Sequence, residues 1–234
     1  MKLGTWCTLG EPRVALAVER SGVDWVGLDA QHGHFEAASL RETFALRRMR
    51  TVPMLVRVLS ADAAGIGRVL DCGADGVIVP MIETPDQAAA VVRAARYGPR
   101  GGRSWGPLST IGDYQPENAP PGDPLVSVMI ETAAALAAVD SIAATPGVDM
   151  LFVGPFDLAL ALGTSVDELV ADDSPASPLR AITDACRRAG TIAGAFAGSR
   201  ERARVLSAFG YEWIATGTEA GLLRAGADAS RPVG

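Results

Sequence analysis

Lysine is almost missing from this chain of 234 residues: the single one, Lys2, sits at the N-terminus. A mechanism that builds a Schiff base on an interior lysine is therefore nearly excluded. Cysteine is scarce too. Cys7, Cys72 and Cys186 are odd in number, far apart and in no CxxC spacing, so neither a disulfide framework nor a structural zinc site is expected. Basic residues are scattered and the net charge is −6, which argues against a general attraction to nucleic acid or an anionic membrane. The one short basic cluster, Arg47, Arg48 and Arg50, reads as a solvated helix end. No apolar run reaches transmembrane length, and the first residues, MKLGTWCTLGEP, hold no long apolar stretch of a secretion signal. The expected compartment is the cytoplasm.

What the sequence does have is a repeated alternation. Short apolar runs at 3–9, 25–29, 53–58, 76–80, 125–130, 150–153, 192–196 and 213–216 are each followed by a longer segment of helical period. Those segments lie near 12–20, 36–49, 62–71, 85–96, 132–143, 176–189, 199–208 and 219–227. Apolar runs without in-and-out alternation belong to parallel strands covered on both faces. Eight such pairs in this length predict one domain over 1–234, a closed (β/α)₈ TIM barrel, in preference to an open doubly wound sheet. Gly73 and Gly210 stand where a helix must turn into the next strand. Asp24, Asp75 and Asp149 each precede a strand, as if one turn were used three times. Two irregular stretches, 98–122 and 163–178, break the rhythm and are expected to be functional or interface-forming loops.

A TIM barrel presents its chemistry at the C-terminal ends of its strands. There the sequence places Asp29-Ala30-Gln31-His32 after strand 2, Arg57 at the end of strand 3, Glu131 after strand 5, and Gly154-Pro155-Phe156-Asp157 after strand 6. Two adjacent carboxylates repel unless they share a proton or hold a cation. An all-oxygen pair suits Mg²⁺, with Mn²⁺ or Co²⁺ as alternatives. Glu131 and Asp157 fit that description, but Asp and Glu also favour helix N-termini, and spacing alone does not decide between the two. His32, in a loop after a strand and near Asp29, is placed for acid–base work near neutral pH. His34 reads as a surface or supporting residue. Arg57 is costly inside an apolar barrel unless it meets an anion, and a guanidinium suits an enolate or a carboxylate.

Five motifs then carry a resemblance. Gly27-Leu-Asp-Ala-Gln-His-Gly33, Leu55-Val-Arg-Val58, the 69–81 segment VLDCGADGVIVPM, Met129-Ile-Glu-Thr132 and Phe152-Val-Gly-Pro-Phe-Asp-Leu158 occur in the order and spacing of the HpcH/HpaI aldolase family. The likeness runs from Gly4-Thr-Trp6 to the last helix. The chain thus resembles the metal-dependent class II pyruvate aldolases. The resemblance implies that Glu131 and Asp157 hold the divalent metal and that His32 is the general base. It also implies that Arg57 stabilises the enolate, and that Asp71 raises the basicity of a histidine. Backbone N–H groups of the Gly154–Asp157 turn would hold the pyruvate carboxylate, beside Trp6, Met129 and Phe156. Asp71 ends its helix just before strand 4, at the bottom of its own barrel, so its histidine partner should be His32 of a neighbouring chain. The family likeness implies a hexamer built from dimers.

Three positions depart from the family's common pattern: Gln31 stands for a frequent Glu, Met129 for a frequent Gln, and Phe156 for a small residue. The 100–121 loop matches poorly after Arg103 and is where the acceptor-aldehyde pocket is expected. The implied reaction cleaves a 4-hydroxy-2-oxo acid. His32 takes the C4 hydroxyl proton, the C3–C4 bond breaks to an aldehyde and a pyruvate enolate, and Arg57 meets the developing charge. Three rivals rank lower. They are a phosphate-binding barrel using the Gly194–Gly198 and Gly217–Gly221 segments after strands 7 and 8, a citrate-lyase-like acyl-CoA lyase, and a non-catalytic binding barrel.

Overall fold

The computed structural model describes residues 1–106 and 122–231. The acceptor loop expected at 100–121 therefore lies mostly outside the described residues. Eight strands, β1 (Lys2–Cys7), β2 (Trp25–Asp29), β3 (Met54–Arg57), β4 (Gly76–Val79), β5 (Leu125–Ile130), β6 (Met150–Val153), β7 (Ile192–Phe196) and β8 (Trp213–Thr218), pair in parallel and in order. β8 closes on β1, so the sheet is a barrel. No helix among the described residues is long and apolar enough to cross a membrane. All three cysteines are buried free thiols.

The connecting helices depart from a plain one-per-strand count. α1 (Pro12–Glu19), α2 (Ala37–Leu46), α3 (Ala63–Cys72) and α4 (Pro85–Ala95) follow the first four strands. The helix expected at 132–143 is two short ones, α5 (Ala133–Ala137) and α6 (Val139–Ala143). After β6 come α7 (Pro155–Ala161) and α8 (Val166–Ala171), then α9 (Pro178–Ala189), so the stretch expected to be irregular at 163–178 contains a helix. A capping box accounts for α8: the Ser165 hydroxyl accepts the Glu168 N–H, while the Glu168 carboxylate accepts the Ser165 N–H. α10 (Arg200–Phe209) and α11 (Glu219–Ala229) complete the ring.

Two apolar layers hold this architecture. Outside the barrel, Leu, Val and Ala side chains pack strands against helices. Inside lies an aromatic-rich filling of Trp6, Trp25, Phe152 and Trp213 with Leu55, Ile78, Met129 and Met150. Glycines opposite make room for these rings. A Cβ on Gly27 would stand 2.5 Å from the Trp6 ring, and one on Gly194 would stand 2.6 Å from Met150 Sδ. Gly194 thus serves packing inside the barrel, which removes one support for the phosphate-site reading.

The repeated aspartates perform one repeated task. Asp24 accepts the Leu3 N–H at 2.7 Å, Asp75 the Met54 N–H at 2.8 Å and Asp149 the Val126 N–H at 2.8 Å. Each aspartate also donates its own N–H back to the carbonyl of the same residue. The device locks the entry of β2, β4 and β6 to the start of the preceding strand and so fixes the barrel register. Arg47 corrects the expectation of a solvated basic cluster. It is 6% exposed and reaches Glu19 and Asp75 at 2.6 Å each. Its partners come from distant segments, so nothing near it in sequence announces its burial.

Candidate active site

A cavity of about 230 Å³ opens at the C-terminal ends of the strands, lined by Trp6, Asp29, His32, Arg57, Met129 and Asp157 among others. β2 and β3 deliver its best-ordered pair. Their register sets Asp29 opposite Arg57, and neighbours at one register point to the same face of a sheet. Arg57 Nε donates to Asp29 Oδ1 at 2.9 Å and Nη2 to Oδ2 at 2.5 Å. Asp29 also accepts the Trp6 indole N–H at 3.2 Å and the backbone N–H groups of Gln31 and His32 at 3.0 and 3.2 Å. Burial alone pushes the Asp29 carboxyl up. The Arg57 hydrogen bonds and charge, with the His32 and Trp6 donors, outweigh burial and hold it below the usual carboxylate value.

This arrangement shows how the loop after β2 is built. Asp29 binds the backbone of His32 and leaves the imidazole to face the cavity. The His32 side chain is exposed there, with no hydrogen bond to a described residue. His34 and Gln31 turn away and line a wider neighbouring groove of about 620 Å³ between the loops after β2 and β3.

The acidic pair comes from β5 and β6. Glu131, 4% exposed, accepts the Met81 N–H at 2.8 Å through Oε1. Its Oε2 faces Gly154, where an added Cβ would stand only 2.8 Å away. Met81 donates from a left-handed backbone, φ 58°, although it is not glycine. Asp157, in the first turn of α7, is exposed on the cavity side. Burial pushes the Glu131 carboxyl up and the Asp157 charge adds to this, while the Met81 N–H, Arg57 and His32 pull the other way. Glu131 and Asp157 therefore feel each other as like charges, and Arg57 is already engaged by Asp29. Among the described residues no third carboxylate, histidine or cysteine joins them to make a larger metal-binding group.

Most of the expected residues meet here; Asp71 does not. It lies in the last turn of α3, at the opposite end of the barrel, and accepts Arg103 Nη2 at 2.7 Å. Of the turn expected to offer backbone donors, Pro155 has no N–H, which leaves those of Gly154, Phe156 and Asp157. Phe152, the first residue of the last motif, lines the cavity as well, and so do Thr8, Phe196 and Thr218, which no sequence motif singled out. Neither did one for Glu219, 1% exposed, whose carboxylate takes the Thr8 and Leu9 N–H groups and so holds the loop after β1. The Asp29–Arg57 pairing was within reach of sequence, because both residues end adjacent parallel strands.

A parallel barrel with a carboxylate pair, an arginine and a histidine converging at its C-terminal mouth has the layout of a barrel enzyme. The sequence model of the HpcH/HpaI aldolase/citrate lyase family matches residues 2–225, and the chain belongs to that family of aldolases and lyases. It is 32% identical to a hydroxypyruvate/pyruvate aldolase of Chromohalobacter salexigens, over 95% of this chain and 89% of that protein. It is 36% identical to a 4-hydroxy-2-oxovalerate aldolase of Rhodococcus jostii, over 95% and 87%. The crystal structure of a family member from Burkholderia cenocepacia superposes with a TM-score of 0.84 at 32% identity, covering 97% of this chain and 92% of that one.

Proposed function

We propose that the protein is a class II pyruvate aldolase that reversibly cleaves a 4-hydroxy-2-oxo acid to pyruvate and an aldehyde, using a divalent metal ion. One observation carries this reading: Asp157, His32 and an Arg57 locked in place by Asp29 line one cavity, and the carboxylate of Glu131, buried just behind Gly154, feels the charges of all three. The donor set fits a hard cation. Glu131 keeps Oε2 on the cavity side of its Met81 contact, and the Asp157 carboxylate makes no hydrogen bond to a described residue. Such an ion, Mg²⁺, Mn²⁺ or Co²⁺, held by Glu131 and Asp157, supplies Lewis-acid polarisation of the 2-oxo group.

The chain's own residues do the rest. The Gly154–Asp157 turn offers the N–H groups of Gly154, Phe156 and Asp157 to the substrate carboxylate, and Trp6 and Met129 close the apolar side. Arg57, oriented by its bidentate contact with Asp29, keeps Nη1 clear of hydrogen bonds to described residues and meets the charge on the enolate oxygen. His32 takes the C4 hydroxyl proton in cleavage and returns it in synthesis. Asp71 supports the His32 of a neighbouring subunit in a hexamer made of dimers.

The test is exchange of pyruvate methyl protons in D₂O, followed by NMR on EDTA-stripped protein and after restoring Mg²⁺, Mn²⁺ or Co²⁺. Exchange is expected only with metal, absent in Glu131→Gln, and lowered about 100-fold or more in Arg57→Ala, the scale of losing one oxyanion donor. A well-folded wild type that exchanges nothing with any of the three ions overturns the proposal and favours an acyl-CoA lyase or a binding barrel.

A further inference from the structure

Beside the acidic pair the cavity carries an aromatic wall of which the chemistry above uses only the innermost ring, Trp6. Trp6 stacks on Phe152 with centroids 5.4 Å apart, Phe196 meets the Trp6 ring edge-on at 5.9 Å, and Phe156 lies 6.1 Å beyond Phe196. All four rings line the cavity, so the row runs from the barrel interior to the rim. Phe156, the outermost, is 42% exposed.

That exposed ring is propped in position. The Arg202 guanidinium lies 5.4 Å from its centroid, and Arg202 is itself fixed by Nε and Nη2 hydrogen bonds to Asp167 at 3.0 and 2.8 Å. Gly198, at φ 72°, leaves the space the two rings occupy; a Cβ there would stand 3.3 Å from Phe196 and 3.6 Å from Phe156. A rigid apolar face at a cavity mouth binds apolar ligands with little ordering cost.

Charge narrows the choice of ligand further. Arg57 is the only permanent cation among the described lining residues, and its Nε and Nη2 are engaged by Asp29. Arg202 is paired with Asp167. The segment 107–121 contains no Arg, Lys or His. An acceptor with a carboxylate of its own would enter beside Asp29 and Asp157 without a cation of this chain to meet it.

We infer that the aldehyde half of the substrate is uncharged and apolar, an aliphatic or aromatic aldehyde packed against Phe156 and Phe196, with Phe156 setting the preference. This rests on the aldolase reading. In the synthetic direction the pyruvate methyl carbon gives up a proton as the enolate forms, bonds to the aldehyde carbon, and the aldehyde oxygen takes a proton. The product is a 4-hydroxy-2-oxo acid, with no change of oxidation state overall.

The experiment uses the full-length protein in the oligomer it forms, loaded with Mn²⁺, at saturating pyruvate. Initial rates of aldol addition are compared for butanal, hexanal and benzaldehyde against glyoxylate and succinic semialdehyde. Wild type is expected to favour the apolar set by about 10-fold or more in kcat/KM, the scale of one or two buried methylenes. Phe156→Ala should erase most of that ratio through KM, Phe156→Leu should keep part of it, and Phe156→Arg should tip it towards the semialdehyde acids. A wild-type preference for the anionic aldehydes, or a ratio indifferent to all three substitutions in folded protein, overturns the inference. Methyl-proton exchange in the same wild-type preparation separates the two failures. Exchange with an anionic preference removes this inference alone; no exchange removes the aldolase reading with it.

Discussion

Asp29 shows how much of the site one side chain organises. Its two oxygens collect five hydrogen bonds from Trp6, Gln31, His32 and Arg57, so it sets the arginine, the histidine loop and the indole at once. The pair is nearly buried, at 10% and 3% side-chain exposure, and breaking a buried ion pair costs about 3–5 kcal/mol. Asp29→Asn should therefore lower Tm at neutral pH by several degrees and collapse kcat through a misoriented Arg57. The pH dependence has a definite sign. The folded-state Asp29 carboxyl is held below its ordinary 3.8, so its stabilisation is present above that value and lost as pH falls through the lower, folded one. Melting curves of both proteins should stay apart by a constant gap above pH 3.8 and converge only below it. A gap that begins to close well above this range would contradict the ion pair. Met81 is the second organising residue. Its left-handed backbone aims an N–H at Glu131, a conformation that costs of order 1–3 kcal/mol for a side chain. Met81→Gly adopts it freely and should bind Mn²⁺ more tightly than Met81→Val, as read by electron paramagnetic resonance titration.

Secondary structure elements divide by how local their causes are. β2, β5, β6 and β7 fall where continuous apolar runs place them, because a strand covered on both faces writes its burial into consecutive residues. The three aspartate clamps were visible for a similar reason: each sits one residue before its strand. The break between α5 and α6 was not, since Thr132 to Thr145 is an Ala-rich run without glycine or proline to mark it. α8 had its signal in Ser165 and Glu168, but it lay inside a stretch of Ser, Asp and Pro that reads as a loop. Arg47 belongs to the opposite extreme, since its partners Glu19 and Asp75 are each 28 residues away. The interior of the barrel makes a prediction at this scale. Trp6 needs the vacancy at Gly27, its register partner on β2. Gly27→Ala forces the ring to move, an overpacking cost of about 1–3 kcal/mol, and displaces the indole from Asp29. Lower Tm together with weaker pyruvate binding is the expected pair of results. Loss of stability with unchanged KM would show that Trp6 serves packing only.

At the scale of the whole molecule, the barrel gathers His32, Arg57 and Asp157 around one cavity with Glu131 buried beside them, and leaves Asp71 at the far end. The four were legible because a TIM barrel places its chemistry at strand ends, whatever lies between them. Asp71 is different: its observed partner, Arg103, is 32 residues away, and the contact holds the carboxylate on the outer surface beside a groove of about 330 Å³. If that surface meets the mouth of a second barrel, His32 and Asp71 act across the interface, and the two defects complement each other. His32→Ala and Asp71→Ala would each be inactive alone as homo-oligomers. Mixed after mild dissociation and reassociation, every hybrid pair contains one site that combines intact His32 from one chain with intact Asp71 from the other. For an isologous dimer, random mixing then restores about a quarter of wild-type activity. Recovery should track the fraction of hybrids measured by native mass spectrometry. Hybrids without recovered activity would confine Asp71 to holding Arg103 and the end of α3, and would place the whole reaction within a single barrel.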